Sequence, residues 1–351
     1  MKTTIKCAAL LLGAIALTAS ACGSSKTTST AAGTKGKRAC IILPDADSGT
    51  RWESGDRPAL DSAVKAAGFV ADIQNAQADP AKFATIGDQQ LTKGCGVMIL
   101  VDHKGAGAAV AAKAKAQGIP VIAYDRPIKG ADYYVSFDNL KVGELEGQTV
   151  LDGLKAAGKD PKTASIIYSS GDPSDGNAKM FSDGAKAVLT AAGAKPAFEM
   201  TGTWDGEKAG TLFEQAYTSV QGKVDAVLAP NDNNAAAIIT ILDKNGKSAA
   251  ISGQDASTAG LQNVLLGKQT ATVYKPFKVE AKVASDLAIK LLKGEKPTVD
   301  KKLDDGTPFL ASTPILVGPD KVKDVVAAGD AKVADLCTAA VAAACTKYGV
   351  K

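Results

Sequence analysis

The chain has 351 residues, 45% of them hydrophobic and 22% charged, with a formal net charge of +4. That composition is globular, and the length allows two domains. The small net charge, with no basic block or helix-turn-helix pattern ahead of the α/β region, argues against nucleic acid as a partner.

The first residues read as a targeting segment. Met1-Lys2 and Lys6 give a positive start, and 7–17 is apolar but too short to span a bilayer. Ala19-Ser20-Ala21-Cys22-Gly23-Ser24 then resembles the lipobox of bacterial lipoproteins. That resemblance implies a signal peptide over 1–22, acylation of Cys22, and a protein held outside the cytoplasm on the cell membrane. Residues 23–37 are polar and low in complexity, which reads as a flexible tether.

Strands and helices then alternate. Residues 39–43 form a short apolar strand, and 57–69 a helix with Leu60, Val64 and Ala67 on one face. Strands over 70–74 and 97–101 alternate with helices over 81–93 and 107–117, which end at Gly94 and Gly118. Strands over 120–124 and 133–137 follow. The pattern repeats with helices over 140–157, 178–192, 208–220 and 235–244, and strands over 164–168, 198–203, 226–229 and 249–252. Apolar strands in such alternation form parallel sheets covered on both faces. Two runs of strands predict two doubly wound lobes. The last third, with a strand over 270–274, a helix over 279–292 and a strand-like run over 310–317, reads as the chain returning to each lobe in turn.

Of the six cysteines, Cys7 lies in the signal and Cys22 at the lipid site. Cys40, Cys95, Cys337 and Cys345 remain, an even number in an exported chain, which points to disulfides. Four cysteines allow three pairings. Cys40 opens the first strand and Cys95 the third, and these are neighbours in a 2-1-3-4-5 strand order. That favours Cys40–Cys95 and leaves Cys337–Cys345; the alternative is buried free thiols. No zinc-type Cys/His spacing occurs.

The chain is organised around 120–146, PVIAYDRPIKGADYYVSFDNLKVGELE. Its two strands end in Asp125-Arg126 and Asp138-Asn139. Ligands of open α/β sheets bind beyond the carboxyl ends of the strands. Carboxylates accept hydrogen bonds from hydroxyl groups, and a guanidinium donates to them in a planar fork. The competing reading is that strand-end Asp and Asn only form turns and cap helices. Other strand ends carry the same chemistry: Arg51-Trp52, Asp175 and Asn177, Trp204, Asn231-Asp232, Asp255 and Lys275. Both tryptophans of the chain fall in this set, each beside charged residues. An indole face packs well on the C–H face of a sugar ring.

Taken in order, the segments IAYDR, SFDN-KVGEL, DPSDGNAKMF, TWDG, APNDN, ISGQDA and TVYKP resemble the D-xylose-binding components of bacterial ABC sugar importers. Close relatives of those components bind glucose, galactose or several aldoses, and all are type I periplasmic binding proteins. The resemblance covers about 40–317. It implies two lobes joined by three hinge segments, 38–138 with 276–311 and 139–275 with 312–351, clamping a pyranose. It implies stacking by Trp52 and Trp204, and hydroxyl binding by Arg51, Asp125, Arg126, Asn177, Asn231, Asp255 and Lys275. It places Asp138 and Asn139 at the first crossing and Lys275 beside the second. Its partners would be a monosaccharide and an ABC permease with its ATPase, with no cofactor and a monomeric receptor. Gly176 departs from the Asn that many relatives carry, and the loop over 45–51 is closer to that of multiple-sugar binders.

An enzyme is the rival class, since paired carboxylates serve glycosidases. The sequence has no nucleophile elbow, P-loop or G-x-G-x-x-G opening a helix, and its one histidine, His103, just past the third strand, reads as a surface loop residue, the alternative being a place on the cleft rim. An Asp45-x-Asp47 start hints at a calcium loop, but Thr50 and Asp56 stand where Gly and Glu are needed. A sensory ectodomain presenting sugar to a membrane sensor uses the same closed form and is the alternative to transport.

Overall fold

The computed structural model of the chain describes residues 36–46, 51–299 and 301–351. The signal segment, the lipobox with Cys22 and nearly all of the tether lie outside the described residues.

The first run is β1 (Arg38–Leu43), α1 (Arg57–Ala66), β2 (Val70–Asn75), α2 (Pro80–Lys93), β3 (Val97–Leu100), α3 (Ala106–Ala116), β4 (Val121–Tyr124) and β5 (Tyr133–Phe137). A π-helical turn, Trp52–Asp56, leads into α1. The second run is α4 (Asn139–Ala156), β6 (Ile166–Tyr168), α5 (Gly176–Ala191), β7 (Pro196–Glu199), α6 (Gly206–Ser219), β8 (Ala226–Leu228), α7 (Asp232–Lys244), β9 (Ala250–Ile251), α8 (Thr258–Leu265) and β10 (Thr272–Tyr274). The last run is α9 (Phe277–Leu292), β11 (Lys301–Lys302), β12 (Pro308–Ser312), β13 (Ile315–Val317), α10 (Val322–Ala327), α11 (Val333–Leu336) and α12 (Ala342–Tyr348).

One sheet runs β11-β12-β5-β4-β3-β1-β2, parallel except for the β11 edge. A second, parallel sheet runs β7-β6-β8-β9. β10 and β13 pair antiparallel beside it and touch it through a bridge from Val273 to Gln254. The strands of the first sheet are wholly apolar where they are central: Val97–Leu100 and Val121–Tyr124 are buried throughout, as strands covered on both faces must be. Helix α9 returns to this sheet, packing on α1 and β3. The chain therefore passes between the sheets three times, after β5, between β10 and α9, and between β12 and β13.

The run expected over 310–317 is thus two strands, not one. Pro314 stands two residues beyond the end of β12 and offers no backbone donor, so pairing with β5 does not resume and the chain enters the other half. Strand β7 lies four residues earlier than the sequence pattern placed it at its end, because Gly202 beyond it packs against the carbonyl of Gly171 instead of continuing the sheet. Helix α8, capped by Ser257 onto the amide of Gly260, and the three C-terminal helices were not read from the sequence.

Cys40 pairs with Cys95 and Cys337 with Cys345, at Cα separations of 5.8 and 6.0 Å. The first joins neighbouring strands, since Ala39 lies opposite Val97. The second closes a small helical core in which Leu336, Val341, Cys345 and Val350 pack with Leu261, Val264 and Tyr274. No described helix is long and apolar enough to cross a membrane.

Candidate functional site

The site is built on Asp125, the first residue after β4. Its φ of +62° is left-handed, a conformation that costs a non-glycine residue roughly 1–2 kcal/mol. Three donors meet its backbone carbonyl: Tyr134 Oη at 2.9 Å, Ser136 Oγ at 2.8 Å and Asn177 Nδ2 at 2.8 Å. Its carboxylate accepts from Arg51 at 3.1 Å. One side of the residue is thus held by β5 and by α5 from the other half, while the carboxyl points along the strand end.

Arg51 is committed almost entirely to carboxylates. Its Nε and one terminal nitrogen fork onto Asp56 at 2.8 Å each, and the same nitrogen reaches Glu280 at 2.6 Å. Burial opposes its charge, but Asp56 and Glu280 outweigh that and hold its pKa well above the ordinary value. The Tyr124 hydroxyl donates to Asp56 in the same cluster, and burial first, then the neighbouring carboxylates, push its pKa well up. The guanidinium carbons of Arg51 and Arg126 lie 4.5 and 5.8 Å from the Trp52 ring centre.

Arg126 donates to the carbonyl of Asp102 at 3.0 Å and lies 3.4 Å from the Asp175 carboxylate. Asp175 caps α5 through the amide of Asn177 and accepts from Trp204 Nε1 at 3.2 Å. Burial raises its pKa, with Arg126 opposing. The Trp204 ring meets Phe181 edge-on, with centroids 6.2 Å apart. Lys275, at the end of β10, pairs with Asp255 at 3.0 Å and sits 5.3 Å from the Phe181 ring centre. Burial lowers the Lys275 pKa, but Asp255 and Asp125 together raise it further, so it stays charged. Asp255 is itself left-handed, with φ +93°.

These contacts bring together Arg51, Trp52, Asp125, Arg126, Asp175, Asn177, Trp204, Asp255 and Lys275. Asn139 joins through Asn177 Oδ1, to which it donates at 3.0 Å, and it also donates to Tyr134 and Ser136. The two indoles are placed differently. Trp204 is half-buried, whereas Trp52 is 3% exposed and belongs to the sheet–helix core.

Three expected ligands have structural partners of their own. Asp138 caps α4 and pairs with Lys301 at 3.1 Å, because its side chain leaves the strand towards β11. Asn231 caps α7 through the amide of Asn234. Asp232 accepts from Gln269, Thr272 and the amide of Ser257, each at 2.8 Å, and so fastens the Asp255 loop to β10. Burial pushes its pKa up to about 7 against those donors. His103 is also not a surface residue. It is 8% exposed, 3.9 Å from Asp45, and burial followed by Arg126 lowers its pKa.

Asp56, Phe181 and Glu280 were not anticipated. For Glu280 a signal existed. It occupies the face of α9 that buries Ala281, Ala284, Leu287 and Ala288, so a carboxylate stands at a core position of the helix. Glu146 does the same on α4, between Val142 and Val150.

Two parallel sheets bridged by three chain crossings, with charged and planar groups converging between them, define a two-lobed solute-binding protein. The sequence matches the periplasmic binding protein domain family over residues 40–296, and the chain belongs to the type I periplasmic sugar-binding proteins. It is 34% identical to the D-xylose-binding periplasmic protein of Escherichia coli (strain K12) over 289 residues, which cover 79% of this chain and 85% of that one. It is 31% identical to a multiple sugar-binding periplasmic receptor of Rhizobium radiobacter, covering 76% of this chain and 83% of the relative. Among solved structures it superposes on a carbohydrate transporter solute-binding protein from Chloroflexus aurantiacus, in complex with D-glucose. That match has a TM-score of 0.76 and 28% identity, over 85% of this chain and 97% of the other.

Proposed function

We propose that this protein is the extracytoplasmic receptor of an ABC sugar importer and captures an aldopyranose, D-xylose or a relative such as glucose or galactose. The lobes are taken as 38–138 with 276–311 and 139–275 with 312–351. The sugar lies between them, and the closed form is what the permease and its ATPase receive. The receptor acts as a monomer held to the membrane by lipid on Cys22.

The observation that carries this reading is the convergence of Asp125, Arg126, Asp175, Asp255 and Lys275, linked to the half-buried Trp204 through Asp175 and Phe181. Such a set offers acceptors and donors for a ring of hydroxyls beside one stacking surface. Arg51 and Asp56 hold Asp125 in place, and Asn139 and Asn177 tie the lobes. The 34% identity to a xylose-binding protein and 31% to a multiple-sugar receptor point to the substrate class.

Calorimetric titration with D-xylose, D-glucose, D-galactose, D-ribose and L-arabinose tests it. Binding of one or two pyranoses near micromolar, roughly −8 kcal/mol, is expected. Trp204→Ala is expected to weaken it at least tenfold. Binding of none of the five sinks the assignment. For the anchor, Cys22→Ser is expected to move the protein from the membrane fraction to the soluble one.

A further inference from the structure

We infer that Gly171 is a positioning residue for the sugar: it seats the Trp204 indole and so fixes the depth of the stacking face. The inference rests on the sugar-binding reading above. Gly171 closes the Ser169-Ser170-Gly171 segment that leaves β6. It is not among the residues with positive φ, so its backbone would accept alanine and only space demands glycine. A Cβ there would lie 2.6 Å from Cε2 of Trp204 and closer still to Cζ2 and Cη2. Carbon atoms in contact need about 3.5–4.0 Å, so the ring must give by roughly 1.5 Å.

The loop bearing Trp204 has no room to retreat with it. The amide of Thr203 donates to the carbonyl of Ser170 at 3.0 Å, and Asn234 Nδ2 donates to the carbonyl of Thr203 at 2.8 Å. Gly202 packs so closely on Gly171 that a Cβ at 202 would meet the Gly171 carbonyl and, at 2.8 Å, Ser170 Oγ. Asp205 pins the far end by capping α6 through Lys208 at 3.0 Å. With the backbone fastened on both sides, the indole moves away from Gly171. That breaks its register with Asp175, which holds Nε1, and with Phe181, whose ring Lys275 covers. A glycine that touches no ligand thereby sets the spacing between the stacking face and the groups that bind hydroxyls.

The test is a cycle on the full chain: Gly171→Ala, Trp204→Phe and the double variant, titrated with D-xylose, D-glucose and D-galactose. Gly171→Ala is expected to weaken the tightest-bound sugar at least tenfold while the melting temperature moves by only a few degrees. In a Trp52→Phe background, where Trp204 is the sole indole, its emission maximum is expected to shift without sugar. The double variant is expected to bind no worse than Trp204→Phe alone, because the smaller ring no longer meets the added methyl. Wild-type affinity and unshifted emission in Gly171→Ala, or losses that add in full, would overturn the inference. If Gly171→Ala fails to fold alone, folding of the double variant supports the inference, and failure of both overturns it. A wild-type protein that binds none of the three sugars overturns the underlying reading and this role with it. A wild type that binds, beside an unaffected Gly171→Ala, overturns this inference alone.

Discussion

Glu280 is the third carboxylate on a single guanidinium, after Asp56 and Asp125. One positive charge cannot balance three negative ones away from water, and a proton resolves the excess. Burial, the largest cause, raises the Glu280 pKa to about 8, with Arg51 opposing and Asp125 and Asp56 adding to the rise. Its Oε1 has no hydrogen-bond partner among the described residues, as suits a neutral carboxyl. Between the ordinary glutamate value and about 8 the folded protein holds a proton that the unfolded chain has released. Stability is therefore full at low pH and falls as pH rises through that window, by a few kcal/mol at most. Melting temperatures measured from pH 5 to 8.5 are expected to decline, and Glu280→Gln is expected to flatten part of the decline. Asp232, Glu146 and Asp175, also raised chiefly by burial, add to the decline, while His103, whose pKa burial lowers, opposes it. A slope identical in wild type and Glu280→Gln would place the proton elsewhere.

Among elements, the tightest pair is α4 on α5, and it determines where Phe181 and Asn177 stand. Gly143 and Gly184 each face backbone of the opposite helix, so a side chain at either forces the helices apart. Gly184→Val is expected to cost about 1–3 kcal/mol or more in urea unfolding and to weaken sugar binding as Phe181 shifts under Lys275. Unchanged unfolding would mean that the helices separate freely. The disulfides differ in what they constrain. Cys40–Cys95 closes 55 residues of chain and Cys337–Cys345 closes 8, so the chain-entropy cost of losing them is about 4 and about 2.5 kcal/mol respectively. Replacing each pair by alanine is expected to lower the unfolding midpoint in that order. The reverse order would show that the C-terminal helices depend on their crosslink more than the first sheet does. These helices were also the hardest elements to read in advance. Strands such as Val97–Leu100 announce themselves as apolar runs, whereas α11 and α12 are short and stabilised by packing on α8 rather than by periodicity.

For the whole molecule, local order was legible and long-range partnership was not. The strand–helix alternation and the strand-end groups follow from short windows of sequence, and the order β2-β1-β3-β4-β5 follows from the general doubly wound arrangement. No window reveals that Arg51 meets Glu280, 229 residues away. It is equally silent on whether a strand-end Asp pairs with an arginine of its own half, as Asp125 does, or caps the following helix, as Asp138 does. The closure proposed above would draw on the same long-range contacts. Asn177 on α5 donates to the Asp125 carbonyl and accepts from Asn139, and its Oδ1 shares the single Tyr134 hydroxyl hydrogen with that carbonyl, so its amide joins the half that carries α5 to the strand ends of the first sheet. Hydrogen bonds of this kind contribute about 0.5–1.5 kcal/mol each, and leaving the Asp125 carbonyl short of a donor adds to the loss. Asn177→Ala removes all of them at once, which shifts the balance between closed and open forms by about one to two orders of magnitude. Small-angle scattering without sugar is expected to give a larger radius of gyration for Asn177→Ala than for wild type. Adding a sugar that the wild type binds is expected to narrow the difference, because binding energy restores closure. Reading scattering rather than affinity separates the lobe-tying role from any direct contact of Asn177 with the sugar. Equal radii in both proteins, with and without sugar, would mean that the Asn177 amide ties nothing that its neighbours do not already hold.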